Sequence, residues 1–262
     1  MPASASTGRA GRFGFMTYAM TPSPSAQATK DNLPAWEDDA AYWAGFLMAD
    51  GTISTTNRIT LSLAAKDEGH IAAWLEFLGC LQVKIRIESV RFSNDAPEKM
   101  KARAQVSSRQ LAEDLARHGI VHRKSSAGLP ASASLAENAA FWRGMIDGDG
   151  TLGLPKGKHG PILMLVGSLA VMEQFADFLH HVIGGKKPNV LAVHGTSVIV
   201  QVRVNGVRTR EAIHVLWDGV FDARQSPALD RKSQRASEAM TWRTRTEIEQ
   251  AMGNEGARSV GR

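Results

Sequence analysis

A chain of 262 residues with 43% hydrophobic content is long enough to close a real core, as one large domain or two small ones. Lys and Arg number 31 against 26 Asp and Glu, a formal net charge of +5 that favours a polyanionic partner. A single cysteine, Cys80, set beside Leu78 and Leu81, excludes an internal disulfide and a cysteine zinc site and reads as a packing residue.

No apolar run reaches the ~18 residues that a membrane helix needs. The reading is therefore a soluble globular protein; a bacterial or phage cytoplasm is the expected location, with an organellar one as the alternative. Residues 1–35 are rich in Pro, Ser and Ala, faintly like a transit peptide, and are expected to be a disordered tail.

In chain order, Trp36-Glu37-Asp38-Asp39 opens a helix with acids favourable in its first turn. Thr52–Ser54 and Arg58–Leu63 predict a hairpin, with Ile59, Leu61 and Leu63 on one face. Asp67 is placed to cap a helix through Ile71, Trp74, Leu75 and Leu78 that closes at Gly79. A second hairpin runs from Val83 to Phe92 and from Lys101 to Ser107, with Lys84, Arg86, Lys101, Arg103 and Gln105 on its wet face. Ser108 then caps a helix to Gly119.

Residues 120–134 read as a connector, and Ser134 with Glu137 forms a capping-box signature for the next helix. The order of elements then repeats. Gly153–Gly160, carrying Lys156 and Lys158, is a loop or loose strand, and Pro161–Gly167 is an apolar strand. Ser168 caps a helix to Gly184, and a last hairpin shows Gln201, Arg203 and Asn205 outward. A final helix spans 210–217. Arg123-Lys124-Ser125 and Arg231-Lys232-Ser233 stand at equivalent places after each half. The implied organisation is a first repeat over 36–129, a second over 130–240 and a tail or helix over 241–262.

Two stretches carry the repeat: Trp43-Ala44-Gly45-Phe46-Leu47-Met48-Ala49-Asp50-Gly51 and Trp142-Arg143-Gly144-Met145-Ile146-Asp147-Gly148-Asp149-Gly150. Gly45 with Ala49, and Gly144 with Gly148, are four apart on one helix face, so two such helices can bring their backbones nearly into contact. Gly51 and Gly150 are read as left-handed helix stops, which places Asp50 and Asp149 at helix C-termini. A carboxylate there is disfavoured by roughly 0.3–1 kcal/mol, and a divalent cation between two such acids offsets that cost. Asp147-x-Asp149-Gly150 lacks the further ligand spacing of a calcium loop. His118 with His122 and the adjacent His180-His181 are read as exposed or capping histidines.

These paired motifs resemble those of the LAGLIDADG homing endonucleases in their monomeric two-motif form, departing at Trp43, Trp142, Arg143, Gly148 and Met48. The resemblance implies an α/β (α+β) pseudo-two-fold fold of two αββαββα repeats, with a saddle-shaped antiparallel sheet surface around two packed motif helices. It implies a monomeric Mg²⁺-dependent endodeoxyribonuclease, with two or three ions and with Mn²⁺ or Ca²⁺ able to substitute in binding. Such an enzyme cuts both strands of double-stranded DNA at a long asymmetric or pseudo-palindromic site in intron homing.

By the same resemblance, Asp50 and Asp149 hold metal, with the Ala49 and Gly148 carbonyls as further ligands. Lys124 and Lys232 stand beside the scissile phosphates. The wet strand faces, Arg58, Lys84, Arg86, Lys101, Arg103, Gln105, Lys156, Lys158, Gln201, Arg203 and Asn205, form the expected DNA surface, since Lys and Arg neutralise phosphate while Arg, Gln and Asn read base edges. The alternative is an intron RNA maturase or a non-cleaving DNA-binding regulator on the same fold. Retention of both motif acids favours the enzyme.

Overall fold

The computed structural model describes residues 37–91, 97–154, 159–193, 199–218, 220–223 and 226–250. The predicted N-terminal tail, Lys156, Lys158 and the end of the C-terminal segment lie outside the described residues. The described chain divides into two compact units, one made of residues 51–117 and the other of residues 37–50 with 118–250. It opens with α1 (Asp38–Ala49), which belongs to the second unit.

The first unit holds β1 (Thr52–Ile53), β2 (Arg58–Ala64), a short 3-10 turn, α2 (Glu68–Phe77), β3 (Arg86–Val90), β4 (Lys99–Ser107) and α3 (Arg109–Arg117). Its antiparallel sheet has the order β1-β2-β4-β3. The registers Ile59 to Val106, Leu61 to Ala104 and Leu63 to Ala102 put all six apolar side chains on the buried face, together with Ile71, Trp74 and Leu75 of α2 in the core. A one-residue slip would turn every one of them to water.

Local signals act with mixed fidelity. The Ser108 hydroxyl accepts from the Leu111 amide at 3.2 Å, as an N-cap should. Asp67 and Ser168 occupy N-cap positions but make no side-chain cap, so backbone carbonyls alone start those helices. Gly79 takes the predicted left-handed stop, with φ of 69°.

The second unit continues with α4 (Lys124–Ala127), α5 (Ala133–Ala136), α6 (Ala139–Asp149), β5 (Thr151–Gly153), β6 (Ile162–Gly167), α7 (Leu169–Ile183), β7 (Val190–Ala192), β8 (Val200–Asn205), α8 (Val207–Leu216), α9 (Val220–Ala223) and α10 (Asp230–Met240). Its sheet has the matching order β5-β6-β8-β7. The architecture is thus α+β, with two four-stranded antiparallel sheets and, in the second unit, a closely packed helix pair.

The capping box predicted from Ser134 and Glu137 does not form. Asn138 caps α6 instead, its side-chain oxygen accepting from the Ala140 and Phe141 amides at 2.8 and 3.2 Å.

The α1 and α6 helices pack backbone to backbone. A Cβ on Gly45 would run into the Phe141 carbonyl, and one on Gly144 into the Tyr42 carbonyl and, at 2.8 Å, the Phe46 nitrogen. The N-terminal ends meet where Asn138 Nδ2 donates to Asp38 Oδ1 at 3.3 Å, and the C-terminal ends meet where Ala49 Cβ fills the place of a Gly148 side chain. The pair therefore runs parallel and converges on Asp50 and Asp149. Behind it, the Trp142 ring packs on Phe175 and Phe178 with centroids 5.0 and 6.0 Å away, and its indole N–H donates to the Ala136 carbonyl.

Candidate nucleic-acid and metal site

Asp50 is the C-cap of α1 in a right-handed conformation, and Asp149 is the last residue of α6. Neither following glycine is left-handed, which corrects the expected stop. Gly150 is extended, with φ −83° and ψ 164°, and is glycine because a Cβ would lie 2.7 Å from the Ile146 Cα and carbonyl oxygen. Close approach, not left-handed torsion, fixes the residue there.

Asp50 Oδ2 lies 3.4 Å from where a Gly148 Cβ would stand, so the small residue at position 148 makes room for the neighbouring acid. Asp50 is half-buried, and the Asp149 side chain reaches the surface from a crowded helix end. Burial raises the Asp149 pKa, while Lys124 and then Lys232 lower it.

Lys124 begins α4 directly after Arg123, whose left-handed φ of 51° turns the chain at this point. It is half-buried. Desolvation lowers its pKa, and Asp149 and Asp50 in turn support its charge. One ammonium thus feels both motif acids.

Lys232, expected like Lys124 to stand beside a scissile phosphate, is buried with only 5% exposure. Its ammonium donates to the Ile146, Gly148 and Gly150 carbonyls, the last at 2.8 Å. Burial pushes its pKa down to about 8 against the support of Asp147. The two lysines are not equivalent. Lys232 is a buried cap on the carbonyls at the end of α6, of which Ile146 also accepts from the Gly150 amide, and it opposes the negative pole there.

A network that sequence reasoning missed lies beneath the acids. The fully buried Asp147 accepts from the Tyr42 hydroxyl at 2.8 Å and from the Leu229 amide at 2.7 Å, both on Oδ2, while Oδ1 has no partner. Burial raises its pKa to about 6. Arg143, also buried, donates to the Pro227 and Leu216 carbonyls and stands over the Tyr42 ring, 5.5 Å from its centroid. The signal was present in the sequence as two charged residues four apart inside an otherwise apolar helix.

A cavity of about 300 Å³ opens beside Asp149 and Lys124, walled by Met48, Met145, Val166 and Val171.

The predicted strand residues fall on the faces away from the helices, each within its own sheet. In the first, Arg86 pairs with Arg103, Gln105 with Thr60, and Lys101 with Glu88, while Arg58 is exposed opposite Ser107. Lys84 precedes β3, and it lines an open hollow of about 580 Å³ with Arg86, Arg103 and Gln105. In the second sheet Arg203 and Asn205 are exposed, with Arg203 Nε donating to Asn205 Oδ1 at 2.8 Å, and Gln201 is half-exposed.

The second face is less polar than expected. Leu163 and Leu165 point into the core, so Ile162, Met164 and Val166 necessarily line the outer side. Among the described residues no three His, Cys, Asp or Glu side chains group to hold a metal. His118 hydrogen-bonds with Ser132 instead, Nδ1 to Oγ at 2.8 Å. No described helix is long and apolar enough to cross a membrane.

No family model and no curated protein matches the chain. Solved structures do. The homing endonuclease I-WcaI bound to its DNA recognition sequence aligns with a TM-score of 0.52 at 10% identity, covering 77% of this chain and 92% of that one. The N-terminal LAGLIDADG domain of DUF199/WhiA aligns at 0.41 and 13% identity, covering 93% of this chain and all of the other. The chain has the LAGLIDADG fold, with two αββαββα-like repeats and packed motif helices.

Proposed function

We propose that this protein is a site-specific, divalent-metal-dependent DNA endonuclease. The observation that carries the reading is the convergence of Asp50 and Asp149 at the parallel C-termini of two helices in backbone contact, with Lys124 charged against both. Two carboxylates at two negative helix poles form an unstable arrangement alone and a favourable one around a cation.

Mg²⁺ is commonly held by only one or two carboxylates, with water and substrate phosphate completing its shell, so the absence of a third acidic ligand among the described residues fits this ion. Asp50 and Asp149 would hold it, with the Gly148 carbonyl, already an acceptor from Lys232, as a lesser donor. Bound there, the ion would supply charge neutralisation at phosphorus and activation of water.

The protein's own groups do the rest. Lys124 offers positive charge beside the acids for a phosphate oxygen. Lys232 and the buried Asp147 brace the helix end that carries Asp149. Arg86, Lys101, Arg103 and Arg203 supply phosphate and guanine contacts, and Gln105, Gln201 and Asn205 supply adenine contacts. The solved relative of the same fold that is bound to its DNA recognition sequence supports DNA as partner.

The test is Mg²⁺-dependent cleavage of a randomised duplex library by the full chain, beside Asp50→Asn and Asp149→Asn. Cutting at one long sequence, lost in both variants while binding persists, is expected. Selective binding to DNA or structured RNA without cutting would replace the nuclease with a regulator or a maturase.

A further inference from the structure

The outer face of the second sheet alternates two chemistries in a fixed register. Ile162 stands opposite Asn205, Met164 opposite Arg203, and Val166 opposite Gln201, so each outward cross-strand pair couples one aliphatic or thioether side chain to one hydrogen-bonding side chain. Outward Leu191, opposite Gln201 on the next strand, is 50% exposed and extends the apolar character. The equivalent positions of the first sheet are different. Thr60, Ser62 and Ala64 stand there opposite Gln105, Arg103 and Lys101. A row of three large apolar side chains on the wet side of a sheet calls for an occupant that is itself partly apolar.

The major-groove edge of an A·T pair has that composition. Adenine offers an acceptor and a donor that Asn or Gln matches with two hydrogen bonds, and thymine offers a methyl group that takes an apolar contact. The two bases of a pair lie side by side across the groove, as cross-strand partners lie side by side across a two-stranded ribbon.

Spacing agrees as well. Residues four apart on a strand are separated by ~13 Å at ~3.3 Å per residue, which is close to four base steps of ~3.4 Å. Arg203, midway between, suits guanine.

We infer that the second sheet reads thymine methyl groups: Ile162 with Asn205 and Val166 with Gln201 each recognise an A·T pair, the two pairs lying about four base steps apart around a pair that presents guanine to Arg203. This rests on the DNA-binding reading above and adds which bases one half of the site contains. The β2–β4 pair of the first sheet, lacking outward apolar groups of this size, reads its base pairs by hydrogen bonds and charge without methyl contacts, and the nearest outward aliphatic group, Val90, stands on the edge strand β3 opposite Lys99.

The experiment begins with selection of bound duplexes from a randomised library by the full chain. Each thymine of the selected site is then replaced singly by deoxyuridine, which removes only the 5-methyl. Two thymines about four steps apart in one half of the site are expected, each losing about fourfold in affinity on replacement, as burial of one methyl implies. Replacements under the β2–β4 pair in the other half should change nothing. Ile162→Gln should abolish the thymine-to-uracil difference at one of the two positions and leave it at the other.

Equal binding of thymine and uracil throughout, or a selected site without such thymines, overturns the inference while leaving DNA binding intact. A protein partner on this face would produce that same equality. Selection of no duplex at all overturns the DNA-binding reading, and this inference with it.

Discussion

The Tyr42 hydroxyl donates to the Asp147 carboxylate across the two motif helices at 2.8 Å, joining residues 105 apart in the chain. The carboxylate is fully buried, and its Oδ2 has only one other donor, the Leu229 amide. Removing the hydroxyl with Tyr42→Phe takes a partner from a buried ionisable group without changing its shape, and should cost about 1.5–3 kcal/mol of stability in urea unfolding at pH 7.

The same aspartate gives the protein a pH dependence of known sign. Its folded pKa of about 6 lies above the usual ~3.9 of an unfolded aspartate, so the folded state holds the proton more tightly. Its contribution is therefore fully present below about pH 4 and is lost as pH rises through 6, a change of about 3 kcal/mol. Asp147→Asn, which cannot ionise, should flatten unfolding free energy over pH 4 to 7 by about that amount. An unchanged slope would assign the titration elsewhere.

The helix pair sets a steric test. Gly144→Ala would drive a Cβ into the Tyr42 carbonyl and to within 2.8 Å of the Phe46 nitrogen, both backbone atoms of a packed helix. The helices must separate, at a cost of about 3 kcal/mol or more. Gly69 lies in α2 with no atom beyond its chain neighbours and its own helix backbone within 4 Å of a would-be Cβ, and with no positive φ. Gly69→Ala, in the first turn of α2, should stabilise by ~0.4–1 kcal/mol by restricting the unfolded chain. Thermal melts of the two variants should move in opposite directions.

How much of this was legible follows from the range of each signal. Period-two alternation in Ile59, Leu61 and Leu63 and the spacing of Gly45 with Ala49 act between neighbours, so strands, helices and the small-residue face could be read directly. The outer face of β6 could not. Pro161–Gly167 is apolar throughout, and only the inward turn of Leu163 and Leu165 shows that Ile162, Met164 and Val166 face away. The likeness of Arg123-Lys124-Ser125 to Arg231-Lys232-Ser233 was real in sequence and misleading in space. Arg123 is left-handed and leaves Lys124 half-buried beside two acids, whereas Lys232 lies within α10 and is drawn under α6. Backbone torsion decided this, and no spacing encodes it. Arg143 and Asp147 announced a buried network by their place in an apolar helix, but their partners Leu216, Pro227 and Leu229 are over 70 residues away.

Caps separate in the same way. The Asn138 side chain accepts from two amides at the start of α6, whereas Ser168 makes no side-chain bond at the start of α7. Asn138→Ala should cost about 1 kcal/mol in unfolding experiments, and Ser168→Ala a few tenths. Equal losses would mean that the cap bond of Asn138 contributes nothing beyond its backbone geometry.

The two lysines should divide stability from activity. Lys232 spends its ammonium on two α6 carbonyls and that of the following Gly150, and Lys232→Met removes this donor from all three, leaving Ile146 only the Gly150 amide, at a cost of about 1–3 kcal/mol at pH 7. Its folded pKa of about 8, below the ~10.4 of an unfolded lysine, also means that burial penalises the charged form. That penalty is complete below pH 8 and disappears by about pH 10.5, so the parent should gain stability over this window while the Met variant does not. Lys124 is half-buried and faces Asp149 and Asp50. Lys124→Met should shift stability by no more than ~0.5 kcal/mol, as substitutions outside a packed core do, and should lower Mg²⁺-dependent cleavage by about 100-fold, the scale for removing one charge stabiliser at a reacting phosphate. Denaturant unfolding and single-turnover cleavage, run on both variants, separate the roles. Equal losses of stability would return the lysines to equivalence, and undiminished cleavage by Lys124→Met would remove that residue from the proposed site.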